Sequence, residues 1–213
     1  MILAMAKPLP TNRGMRIGLS GGRTPADVYR RLGLVSGPFD WSGPTFFFAD
    51  ERDAPPNEPE SNYWMARKLW FEPAGVPPDH VHRMKADAAD LEAAAADYDA
   101  LLEAPLDLLL LGIGEDGHIA SLFPGSRWLE ERVRRVVPVY DSPKPPPRRL
   151  TITPRVIEEA REVLVLAAGA TKAHAVAAAL AEQGEVSRTP ARLARGRMWL
   201  IDEDAASEWV RAR

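Results

Sequence analysis

The sequence predicts an α/β fold built on a mostly parallel sheet. Three observations carry that expectation. Short apolar runs alternate with helical patterns from end to end. The run at 106–112 shows no polar alternation, as in a strand covered on both faces. Clusters of glycine and charged residues follow the apolar runs at 20–25, 50–52 and 112–118, where open α/β sheets bind ligands beyond the carboxyl ends of their strands.

The elements follow in order. Residues 15–19 form a strand leading into Ser20-Gly21-Gly22, after which Thr24 as N-cap and Pro25 at N1 open a helix to residue 31. Residues 45–49, aromatic and β-branched, form a strand that stops at Asp50-Glu51-Arg52. After a Pro-rich loop at 53–60, Ser61 caps a helix carrying Tyr63, Trp64 and Leu69. Residues 86–102, alanine-rich and acidic with Leu91, Tyr98 and Leu102 on one stripe, form a helix that Pro105 ends. The strand at 106–112 delivers a glycine turn at 112–117 and then His118. Further strands are expected at 133–139, 149–153, 163–167 and 198–201, with helices at 154–160, 172–181 and 205–210. The stretch 141–149 (DSPKPPPRR) is stiff and short, a loop over the site rather than a hinge. With no repeat and no linker, residues 15–213 read as one domain preceded by a short segment, 1–14.

Composition narrows the function classes. The 213 residues are 46% hydrophobic and 27% charged, an ordinary globular balance. A net charge of −3 implies no nucleic-acid or anionic-membrane partner, so any basic site must be local. The absence of cysteine excludes disulfides, thiolate catalysis and Cys-ligated zinc. Residues 1–10 lack a signal-peptide core, and the longest apolar runs, such as 106–113, are too short to span a bilayer. The expectation is a cytoplasmic monomer or small homo-oligomer.

Four constellations can carry chemistry. At Ser20-Gly21-Gly22-Arg23-Thr24-Pro25, two glycines let the backbone approach a ligand, and a helix N-terminus favours an anion; the segment reads equally as a tight turn. In Asp50-Glu51-Arg52, alternation points Asp50 and Arg52 to one side, toward function, and Glu51 to the other, toward a structural role. In Gly112-Ile113-Gly114-Glu115-Asp116-Gly117-His118, the glycines offer free N–H groups, His118 is a base near neutral pH, and Asp116 is placed to fix its tautomer. His80, His82 and His174 have no comparable cluster around them and are taken as structural; no metal pattern is present. Lys172, in the first turn of a helix after Gly169, is unfavourable against the helix dipole without an anion, which points to phosphate. Arg148 and Arg149 either reach the same anion or are solvated loop charges.

These segments resemble the 6-phosphogluconolactonase family. The resemblance rests on Ser20 to Pro25, Asp50-Glu51-Arg52, Ser61-Asn62-Tyr63, the block GIGEDGHIASLFPG from Gly112 to Gly125, DSPKPPPRRL from Asp141 to Leu150, and Gly169-Ala170-Thr171-Lys172. It implies a three-layer α/β/α sandwich, Rossmann-like, of the type shared with glucosamine-6-phosphate deaminases and ribose-5-phosphate isomerases. It also implies a phosphorylated sugar lactone as substrate, no cofactor, and His118 as the base that activates water. Ser20, Gly21, Gly22, Thr24, Asp50, Arg52, Gly114 and Lys172 are then expected around the substrate, with Lys172 and the Ser20 turn on the phosphate. Arg52 and the N–H groups of a glycine turn are expected on the oxyanion. Related deaminases continue the histidine block with a glutamate at the position of Phe123, and a phenyl ring cannot accept the hydrogen bond that glutamate accepts. Members of the family carry a long helix before the first strand, whereas here about fourteen residues with two prolines precede Met15, so that helix is either absent or cut short. Two other classes compete: a silent sugar-phosphate sensor, which has no need of Asp116 and His118, and a structural α/β subunit, which leaves the polar clusters unexplained.

Overall fold

In the computed structural model, which describes residues 14–35 and 40–211, eight strands divide between two sheets. The first sheet holds β1 (Arg16–Leu19), β2 (Thr45–Phe48), β4 (Leu108–Gly112), β7 (Glu162–Ala167) and β8 (Met198–Ile201). All its neighbours are parallel, in the order β2-β1-β4-β7-β8. Helices α1 (Arg23–Leu34), α2 (Asn62–Ala66), α3 (Glu72–Ala74), α4 (Leu91–Leu101), α5 (Pro154–Glu159), α6 (Ala173–Leu180) and α7 (Glu203–Arg211) flank it in a Rossmann-like α/β/α sandwich. The segment 1–13 lies outside the described residues. Among the described residues no helix is long and apolar enough to cross a membrane.

The strand order explains where a ligand can sit. From β1 the chain leaves through α1 toward β2 on one side, whereas β4 is followed by β7 and β8 on the other. The connections part between the adjacent strands β1 and β4, and such a switch point opens a crevice beyond the strand ends. Leu109, Leu111, Val163 and Val165 on one face of the sheet and Leu110 and Leu164 on the other are all buried, as the unalternating run at 106–112 requires.

The second sheet was not legible in advance. It is antiparallel, in the order β3 (Asp50–Arg52), β6 (Arg149–Ile152), β5 (Val136–Val139). Ala49 joins the two sheets: its N–H donates to Leu19 O at 2.7 Å in the first, and its carbonyl accepts from Ile152 N at 2.8 Å in the second. Asp50-Glu51-Arg52 is therefore a strand in its own right rather than a loop start. Helix starts also move, and at two of them the cap shows why. Gly22, not Thr24, is the N-cap of α1, at φ 108°, and no side chain caps it; only glycine takes that angle without strain. The acidic helix begins at Leu91 rather than 86, because the Asp90 carboxylate accepts from Ala93 N at 3.0 Å and stops the helix there. Its expected stripe is buried at Leu91, Tyr98 and Leu102.

Candidate active site

Residues following β1, β4 and β7, together with β3 and the loop before β6, surround a cavity of about 830 Å³. Ser20, Gly21, Gly22, Thr24, Asp50, Arg52, Gly114, His118 and Lys172 all line it, so segments far apart in sequence meet at the switch point. Five cationic side chains face it (Arg23, Arg52, Lys144, Arg149, Lys172) against three carboxylates (Asp27, Asp50, Glu115). In a chain of net charge −3 this is the local basic site that an anionic ligand needs.

On the β1 side the chain enters α1 with the first-turn N–H groups uncapped by any side chain. The Ser20 backbone is fixed by Tyr29, whose hydroxyl donates to Ser20 O at 2.8 Å, while Ser20 Oγ is buried without a hydrogen-bond partner. Lys172 lies across the cavity in a short 3-10 turn, Ala170–Lys172, with Glu115 Oε1 4.0 Å from its ammonium. Burial lowers the Lys172 pKa, reinforced by Lys144 and Arg23 and opposed by Glu115 and Asp116. An incoming phosphate would offset that cost of holding the charge.

On the β4 side the turn closes on itself. Gly114 N–H donates to His118 O at 2.8 Å and Gly117 N–H to Gly114 O at 3.0 Å. These two N–H groups are therefore spoken for, and the expected oxyanion nest of glycine amides is not available from them. What the turn presents instead is a side-chain pair. His118 Nδ1 lies 2.5 Å from Asp116 Oδ1, which fixes the proton on Nδ1 and leaves Nε2 as the basic atom. Burial pushes the Asp116 carboxyl up, but its hydrogen bond to His118 and the charges of His118 and Lys144 outweigh that and hold it well below the aspartate range. Gly114 leaves the room this pair occupies: a Cβ there would come within 2.0 Å of His118 Nδ1 and 2.4 Å of Asp116 Oδ1. Phe123 packs against His118, ring centroids 4.6 Å apart.

Strand β3 splits its charges as alternation demands. Asp50 and Arg52 face the cavity, whereas Glu51 turns away and caps α2, accepting from Asn62 N at 2.7 Å, Tyr63 N at 2.9 Å and Ser61 Oγ at 3.0 Å. Burial raises the Glu51 pKa against those hydrogen bonds, which come from neutral groups. Arg52 Nη1 donates to Glu60 O at 2.9 Å, and its Nε has no partner.

Sequence reasoning passed over Lys144 and Arg23. Lys144 Nζ sits 3.4 Å from Asp116 Oδ1, on the loop read only as a cover; the signal available was a lone lysine held by four prolines at 143 and 145–147. Arg149 is not a solvated loop charge: it is 5% exposed on β6 beside Asp50. Arg148 points elsewhere, to Asp53 and the Ala88 carbonyl. His80, His82 and His174 lie away from the cavity, bound to the Pro44 carbonyl, stacked on Phe47 and facing Glu208 respectively. Among the described residues no group of three or more His, Asp or Glu side chains is placed to hold a metal ion.

Comparison with known proteins gives relatives in both sequence and fold. Residues 1–201 match the sequence model of the family described as glucosamine-6-phosphate isomerases/6-phosphogluconolactonase. The 6-phosphogluconolactonase of Mycobacterium tuberculosis is 41% identical over 208 residues, covering 90% of this chain and 84% of that one. The crystal structure of 6-phosphogluconolactonase from Thermotoga maritima superposes with a TM-score of 0.80 at 28% identity, over 92% of this chain and 89% of that one. A monomeric glucosamine-6-phosphate deaminase superposes with a TM-score of 0.82 at 26% identity, over 96% of this chain and 92% of that one.

Proposed function

The chain belongs to the family of glucosamine-6-phosphate isomerases and 6-phosphogluconolactonases, and on that premise we propose that it hydrolyses 6-phospho-D-glucono-1,5-lactone to 6-phospho-D-gluconate. The observation that carries the choice is a His–Asp pair at 2.5 Å opening into the same basic cavity as an uncapped helix N-terminus. Hydrolysis of this ester needs a base beside one end of the substrate and an anion cradle at the other. The reading places the enzyme in the cytoplasm, in the oxidative pentose phosphate pathway, with no cofactor.

In this mechanism His118 Nε2 takes a proton from water as its oxygen attacks the lactone carbonyl carbon. Asp116 accepts the Nδ1 proton's hydrogen bond throughout and stabilises the imidazolium that forms. The tetrahedral oxyanion is met by Arg52, whose side chain lines the cavity. Collapse breaks the bond from carbonyl carbon to ring oxygen, and His118 returns its proton to that oxygen, leaving a hydroxyl and a carboxylic acid that ionises. One water is consumed. Ser20 Oγ, the N–H groups opening α1 and Lys172 hold the phosphate, whose binding positions the reacting carbonyl. Phe123 supports hydrolysis over ring-opening deamination, since it packs on the histidine without offering an acceptor.

The test is hydrolysis of freshly generated lactone against the spontaneous background, with and without EDTA, and with glucosamine 6-phosphate as control. Acceleration unaffected by EDTA and no ammonia from the amino sugar are expected. His118→Ala should lower kcat by roughly 10²–10⁴-fold with binding retained. Folded protein that gives no acceleration sinks the proposal, and near wild-type turnover in His118→Ala sinks the base assignment.

A further inference from the structure

Arg149 faces the cavity, yet its guanidinium is occupied by protein. Nε donates to Pro146 O at 3.1 Å; Nη2 donates to Lys144 O at 3.0 Å and Pro145 O at 3.1 Å. Nη1 donates to Ser121 Oγ at 3.3 Å and lies 4.0 Å from Asp50 Oδ2. Asp50 is itself held, accepting from Ser121 Oγ at 2.7 Å and Asn62 Nδ2 at 3.2 Å. A side chain so engaged has little left to offer a substrate phosphate.

The segment it grips has an unusual need. Pro145, Pro146 and Pro147 carry no N–H, so this stretch can be tied down only through its carbonyls. A planar fork of five donors meets three successive carbonyls, which a lysine's point charge cannot do. Ser142 supplies a second tie, its hydroxyl donating to Lys144 O at 2.8 Å and accepting from Lys144 N at 3.2 Å. What these ties hold in place is Lys144, whose ammonium lies 3.4 Å from Asp116 Oδ1 on the cavity wall, with donors still free.

We propose that Arg149, anchored on buried Asp50, is a positioning residue that pins the Lys144–Pro146 strap and so sets Lys144 as a substrate contact beside His118. The inference rests on the lactonase reading for the substrate role, and on geometry alone for the pinning. Arg149→Lys is the informative variant: it keeps a cation opposite Asp50, so no buried carboxylate is left uncompensated, but it loses the fork. Arg149→Lys, Lys144→Ala and the double variant are compared with wild type by lactone-hydrolysis kinetics, thermal melts and hydrogen exchange at the Ser142 and Lys144 amides.

Each single variant is expected to raise KM about tenfold, and the double variant no more than either alone, because an unpinned Lys144 is already lost. Arg149→Lys should also raise exchange at the strap about tenfold while its melt stays close to wild type. KM increases that multiply to about a hundredfold in the double variant, or an unchanged KM in Arg149→Lys, overturn the positioning role. Unchanged strap exchange in a folded Arg149→Lys overturns the pinning whatever the kinetics. A wild-type chain that does not hydrolyse the lactone removes the function and the substrate role of Lys144 together, and leaves the pinning to be decided by exchange.

Discussion

Two glycine turns sit side by side at the ends of β1 and β4, and they do opposite things with their backbones. The turn after β1 runs straight into α1, and Gly22 at φ 108° hands over a helix whose first N–H groups no side chain caps. The turn after β4 spends its glycine amides internally, Gly114 N–H on His118 O and Gly117 N–H on Gly114 O, and no helix follows directly. One turn offers donors to an anion; the other offers an imidazole held by a carboxylate. Glycine content alone does not say which service a turn performs. What comes next does: a helix leaves its first amides open, whereas a self-bonded loop leaves only side chains to act.

Substitutions can break this contrast at either end. The largest effect is expected on the β4 side, from Gly114→Ala. Its methyl group would displace the His118–Asp116 pair, so kcat should fall about as far as in His118→Ala, roughly 10²–10⁴-fold, in steady-state lactone hydrolysis. A kcat near wild type would mean that the turn yields without disturbing the pair. Asp116→Asn keeps the shape and removes the charge, so the imidazolium loses its stabilising partner. A fall at the lower end of that range, about 10²-fold in kcat, is expected, with KM nearly constant.

The β1 side should respond in the other parameter. With Lys172 in its proposed role on the phosphate, Lys172→Ala leaves the helix amides in place, and KM should rise about tenfold with kcat little changed. A fall in kcat equal to that in kcat/KM would move Lys172 from phosphate anchoring to the reacting centre.

The smallest effect concerns stability against pH. The folded Asp116 carboxyl is depressed, so its contribution is fully present above the ordinary aspartate pKa of about 3.9 and is lost as acid drives the pH down toward the folded value. Melting temperatures of wild type and Asp116→Asn should therefore converge as the pH drops below about 4. The turn after β1 carries no such carboxylate, and Lys172→Ala should melt parallel to wild type over that range. A constant gap between wild type and Asp116→Asn would show that the pair contributes nothing to folding.

Much of the site was legible because its signals are local. Glycines beside Ser20, Asp116 two residues before His118, and Lys172 opening a helix each state their chemistry within a few neighbours. The split of Asp50 and Arg52 from Glu51 needed only the twofold alternation of a strand, which holds although the strand belongs to an unexpected sheet. Arg149 and Lys144 were not legible in this way. A proline-rich stretch with two arginines looks solvated until its partners, Asp50 and Ser121, arrive from elsewhere in the chain.

Periodicity, turn chemistry and adjacent side chains act over a few residues, and they suffice for the parallel sheet, the order of its elements, the strand-end clusters and the pairing of His118 with Asp116. Tertiary packing is what passes the chain at Ala49 into a second, antiparallel sheet, leaves the helix after β1 uncapped and uses up the glycine amides after β4. It also decided that Arg149 is buried on Asp50. These outcomes depend on which distant backbone and side-chain groups complete each other's hydrogen bonds, as when residues 50–52 find 149–152, and a buried polar group is settled only when its partner is known.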